Sequence, residues 1–97
     1  MNLESSKIDS IRDYFKNKPV LKAYLFGSYS NGEADENSDV DILVELDYSQ
    51  KIGLLFIQMK LDLEVILKKK VDLVSSNGLS KYMKPILETD KKIIYAR

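Results

Sequence analysis

The sequence contains no cysteine, no histidine and no tryptophan. Without cysteine there can be neither a disulfide framework nor a thiolate metal site, and a reducing cytoplasm is the natural setting. Without histidine the usual general base and the commonest transition-metal ligand are both missing. Catalysis, if there is any, must then run on carboxylates, hydroxyls, lysines or a hard metal ion. Net charge is absent too, since fifteen Lys plus Arg balance fifteen Asp plus Glu. A protein that coats DNA or RNA draws its affinity from excess positive charge, so direct nucleic-acid binding is not expected. No apolar run reaches the roughly 18–20 residues that span a bilayer. The polar start, Met1-Asn2-Leu3-Glu4-Ser5-Ser6, is not patterned as a signal peptide. The expectation is a cytoplasmic protein without a membrane partner.

What remains is an ordinary globular composition, 44% apolar and 31% charged over 97 residues, expected to form one domain over residues 1–97. Ser5 and Ser6 are N-cap candidates, and Ser6-Lys7-Ile8-Asp9 has the outline of a capping box. Ile8, Ile11 and Phe15 recur at helical spacing, and Pro19 stops the helix by disfavouring a helical Lys18. Val20 to Phe26 and Val40 to Leu46 read as strands, the second β-branched and central. From Ser49 to about Lys69 a proline-free segment predicts the longest helix. Its residues Ile52, Leu55, Phe56, Met59, Leu63, Ile66 and Leu67 form a core stripe. Leu54, Ile57, Leu61 and Val65 form a second stripe on the opposite side. Another element of the chain, a partner protein or a second copy in a homo-oligomer could cover it. Lys70 to Val74 predicts a short strand, Leu79 to Glu88 a helix interrupted at Pro85, and Lys92 to Ala96 an edge strand. The order predicts one sheet with helices packed on it.

The chemistry concentrates between Leu25 and Glu45, LFGSYSNGEADENSDVDILVE. Gly27 to Gly32 has the spacing of a P-loop, but Glu33 and Ala34 stand where that loop needs Lys and Ser or Thr. Asp35 to Asp39 resembles the start of a calcium-binding EF-hand loop. Val40 replaces its glycine and Leu46 its closing glutamate, which excludes that site. Asp39 and Asp41 are two apart on a strand and so project from the same face. Such a pair at a strand start is, taken alone, most often a solvated loop edge. Two carboxylates side by side repel unless a cation sits between them, which suits a hard divalent ion. If the strand carrying Asp72 lies beside the one carrying Asp41, Asp72 completes a triad. Gly27 would let the backbone approach a triphosphate, and Ser28 would add a hydroxyl donor.

Gly27-Ser28, a ten-residue spacer, Asp39-x-Asp41 and the later Asp72 resemble the nucleotidyltransferase superfamily related to DNA polymerase beta. Size, Gly32 and the closing Val-Asp-Leu-Val strand look most like its minimal members, the antitoxin halves of pairs whose partner is a HEPN-domain toxin. The resemblance spans about Tyr24 to Val74. It implies an α/β (α+β) polymerase-beta-like fold, a small mixed sheet with helices packed on it. It further implies that Asp39, Asp41 and Asp72 bind Mg²⁺ or Mn²⁺ and carry catalysis, while Gly27, Ser28 and Asn31 contact ATP. AMP would pass to a hydroxyl, by the resemblance a tyrosine of the toxin, and silence its RNase activity. Asn31 departs from the pattern, because many relatives carry arginine there, and a neutral amide grips phosphate less firmly. Lys81 and Lys84 are candidates to compensate, against the plainer reading of surface lysines. The competing function is an antitoxin that neutralises by binding alone.

Overall fold

The computed structural model describes residues 5–26, 39–75 and 92–97. Gly27, Ser28, Asn31, Lys81, Lys84 and the helix expected over Leu79–Glu88 lie outside the described residues. Two helices and four strands are described: α1 (Ser5–Phe15), β1 (Val20–Phe26), β2 (Val40–Leu46), α2 (Leu55–Leu67), β3 (Val71–Ser75) and β4 (Lys92–Ala96). The strands form one mixed sheet in the order β3-β2-β1-β4. β1 runs antiparallel to β2 and to β4, whereas β2 and β3 are parallel. A parallel pair needs a crossover, and α2 supplies it.

β2 is central, hydrogen-bonded to β1 on one side and to β3 on the other. Val40, Ile42, Val44 and Leu46 point to the helices and, with Val20, Ala23 and Leu25 of β1, meet Ile11, Phe15, Met59, Leu63 and Leu67 in the main core. Each such large side chain contributes about 1.5–3 kcal/mol through burial. On the opposite face Leu43 joins Tyr24 and Phe26 in a second cluster, with Val74 packed against it. α1 and α2 are tied where Tyr14 Oη donates to Asp62 Oδ2 at 2.5 Å. Burial, that hydrogen bond and the charge of Asp62 all push the Tyr14 hydroxyl well above its ordinary value.

Three boundaries differ from the sequence reading. Ser6 lies inside α1 rather than at its cap, and its carbonyl accepts from Ser10 Oγ at 3.0 Å. The helix expected from Ser49 begins only at Leu55. Asp47 Oδ1 accepts from the Ser49 amide at 3.1 Å and from its hydroxyl at 2.6 Å. That side-chain turn competes with helical bonding. Gly53 then adopts φ +45°, a left-handed conformation that interrupts any helix arriving from upstream. β3 runs one residue later than expected, because Lys68 ends α2 in the left-handed region (φ 55°, ψ 38°) and residues 68–70 form the connection. β4 lies at the edge of the described strands, as expected, and Ile94 O accepts from Arg12 Nε at 2.6 Å.

Candidate active site

The carboxylates stand where β2 and β3 begin. Asp39 immediately precedes β2 and is exposed, Asp41 is half-buried in its first turn of pleat, and Asp72 is exposed on β3. Parallel pairing aligns Val40 with Val71, Asp41 with Asp72 and Ile42 with Leu73. Val40 and Ile42 face the helices, so alternation sends Asp41 and Asp72 to the opposite face, beside each other. Neighbouring strands lie about 4.8 Å apart, so the two side chains leave the sheet at that spacing. On its other side Asp41 pairs with Phe26, the last residue of β1, and Gly27-Ser28 follow directly in sequence. The condition attached to Asp72, adjacency of its strand to that of Asp41, is met.

The surroundings act on Asp41 in one direction. Burial comes first, the charge of Asp72 second and that of Asp39 third, and together they push its carboxyl up to about 6. Among the described residues, no three carboxyl groups converge closely enough to hold one ion as they stand. A magnesium ion does not require three. It is typically held by one or two carboxylates, with water and substrate phosphates completing an octahedron. A pair of hard oxygen donors in register, one of them destabilised by its neighbour's charge, fits such an ion.

Sequence reasoning missed two features of this corner. The apolar floor of Tyr24, Phe26 and Leu43 helps explain why Asp41 is half-buried. Its signal is the unbroken apolar run Ala23 to Phe26 of β1, with Leu43 between Asp41 and Glu45 of β2. The other feature is Glu64 of α2, whose Oε2 accepts from the Val71 amide at 3.1 Å, one residue before Asp72. The only sign of it in the sequence is an acid in the last turn of a helix.

A mixed sheet that sets paired carboxylates on the face opposite α1 and α2, at the start of two parallel strands, suits the handling of phosphates through a cation. Residues 9–97 match the family Polymerase beta, Nucleotidyltransferase. The chain belongs to that family and is a nucleotidyltransferase. A Methanocaldococcus jannaschii protein named, provisionally, as a protein adenylyltransferase is 37% identical over 92 residues, covering 86% of this chain and 93% of the relative. Among solved structures, one described provisionally as a minimal nucleotidyltransferase has a TM-score of 0.80 at 29% identity and covers 95% of each chain. A toxin–antitoxin with AMP-PNP has a TM-score of 0.77 at 28% identity, covering 98% of this chain and 75% of the other. The tri-AMPylated Shewanella oneidensis HEPN toxin in complex with MNT antitoxin gives a TM-score of 0.66 at 25% identity, covering 95% of this chain and 69% of the other. The polymerase-beta-like fold expected from the resemblance is the one observed.

Proposed function

We propose that this chain is an antitoxin that transfers AMP from ATP to a hydroxyl, by expectation a tyrosine, of a cognate HEPN-domain toxin and thereby silences it. The observation that carries the reading is the register of Asp41 with Asp72 on adjacent parallel strands, with Asp39 two residues before Asp41. Relatives point the same way, through the adenylyltransferase name and the AMPylated toxin complex.

In this reading Asp39, Asp41 and Asp72 hold Mg²⁺ or Mn²⁺, which when bound neutralises and orients the triphosphate. Gly27, Ser28 and Asn31 cradle the phosphates. The toxin hydroxyl oxygen attacks the α-phosphorus, forming a new P–O bond. The bond from the α-phosphorus to the oxygen bridging to the β-phosphorus breaks, and pyrophosphate leaves. Asp72, the more exposed of the register pair, accepts the hydroxyl proton directly or through water. The partner would present the acceptor hydroxyl and complete the acceptor site. The apolar outer stripe of α2 is the surface on which that partner would dock, since Leu54 and Val65 are 83% and 76% exposed.

The test is mass spectrometry of the cognate toxin after incubation with this chain, ATP and Mg²⁺. A gain of AMP is expected, with loss in Asp39→Asn/Asp41→Asn. If that double variant neutralises the toxin as well as the unmodified chain does, the antitoxin works by binding alone and the enzymatic reading is wrong.

A further inference from the structure

We propose that Glu64 is a positioning residue: its carboxylate clamps the start of β3 and so holds Asp72 in register beside Asp41. The inference rests on the reading of Asp41 and Asp72 as site carboxylates. Among the described strands, β3 lies at the edge of the sheet, with β2 as its neighbour. Val40 N donates to Lys70 O at 2.9 Å, which turns Lys70 toward β2. In a parallel ladder the next residue faces the other way, so the Val71 amide points out of the sheet, where β2 cannot receive it. Glu64 Oε2 receives it instead, at 3.1 Å.

The position of Glu64 is otherwise unfavourable. It lies in the last turn of α2, which carries no basic residue, and an anion there opposes the negative end of the helix dipole. A lysine would suit the dipole but could not accept an N–H. What a carboxylate gains at this position is the Val71 amide. The clamp also closes a short circuit. Only residues 68–70 separate α2 from β3, and Lys7 Nζ of α1 reaches Leu67 O at 3.4 Å at the same helix end. With the helix end held and Val71 fixed, the residue after it has little freedom to slide along β2. A one-residue slip would turn Asp72 toward the core and Val71 or Leu73 toward Asp41.

The test compares Glu64→Ala with Glu64→Gln, which keeps an acceptor oxygen in place without the charge. Ile11→Val, a mild destabilisation from α1, is the control. Amide hydrogen exchange should accelerate at Val71 and Asp72 in Glu64→Ala and return toward the original rates in Glu64→Gln. Mn²⁺ affinity, read by electron paramagnetic resonance on the protein alone, should fall about 10–100-fold in Glu64→Ala, as when an outer support of a ligand is lost. It should recover in Glu64→Gln and hold in Ile11→Val. Unchanged exchange at Val71, no recovery in Glu64→Gln, or an equal Mn²⁺ loss in Ile11→Val overturns the clamp. In an Asp72→Asn background Glu64→Ala should weaken Mn²⁺ no further, and an added loss there overturns action through Asp72. If Asp72→Asn alone leaves Mn²⁺ affinity untouched, the reading of Asp72 as a ligand fails, while the exchange rates still decide whether Glu64 holds the strand.

Discussion

Asp41 ionises near 3.8 when free of its surroundings and near 6 in the fold, where burial and the charges of Asp72 and Asp39 oppose it. A carboxyl raised by folding binds its proton more tightly in the native state. Native stability is therefore greatest below about pH 4 as far as this group is concerned, and falls as pH rises to about 6. In metal-free protein the melting temperature should show that decline once other titrations are matched, and Asp41→Asn should remove it. The same variant should be more stable than the parent at pH 7, because the amide carries no charge to bury beside Asp72 and Asp39. Equal melting temperatures at pH 7 would mean that the carboxylate crowding costs nothing. Asp47 has the opposite sign. Bonds from the Ser49 hydroxyl, the Arg97 guanidinium and the Ser49 amide lower its carboxyl to about 2. Its contribution is present above about pH 4 and is lost as pH falls toward 2. Acid titration of the unfolding midpoint should show a shallower limb in Asp47→Asn than in the parent.

α2 is the element whose two sides make different demands. Met59, Leu63 and Leu67 are fully buried, while Leu54, Ile57, Leu61 and Val65 are exposed. Leu63→Ala should cost about 2–5 kcal/mol in urea unfolding, through lost burial and the cavity it leaves. Leu61→Ala should stay within about 0.5 kcal/mol, as surface changes do. Leu61→Asp should abolish complex formation with the partner in size-exclusion chromatography and leave the melting temperature of the free chain nearly intact. Unfolding of that variant would place the stripe inside the molecule instead. The pattern of α2 was legible in its spacing, including the split into two stripes. Its first turn was not, because the hydrophobic period runs back through Ile52 and hides what Asp47 and Gly53 do locally. β1, β2 and β4 were legible end to end, since Gly27, Pro19 and runs of alternating or continuous apolar residues bound them sharply.

For the molecule as a whole, the mixed sheet brings separate stretches of chain together, setting Asp41 of β2 beside Asp72 of β3. ATP should raise the melting temperature only when Mg²⁺ or Mn²⁺ is present, and Asp41→Asn should abolish the shift. At a ligand concentration of about 100 Kd the gain is about 2.7 kcal/mol. A shift that persists without metal would remove the carboxylates from nucleotide binding.

Composition alone excluded histidine and cysteine chemistry and left carboxylates, hydroxyls, lysines or a hard metal ion to carry catalysis. Strand periodicity predicted a shared face for Asp39 and Asp41, because alternate side chains of a strand share a side. Asp39, however, stands just before β2, where that rule no longer binds it. Those are local constraints, and a chain carries them wherever its neighbours lie. Which strands adjoin is a non-local choice. The crossover through α2 made β2 and β3 parallel neighbours, brought Asp72 opposite Asp41 and raised the Asp41 carboxyl. Glu64 belongs with that choice: an acid near a helix end says nothing until the fold returns the next strand's amide to it.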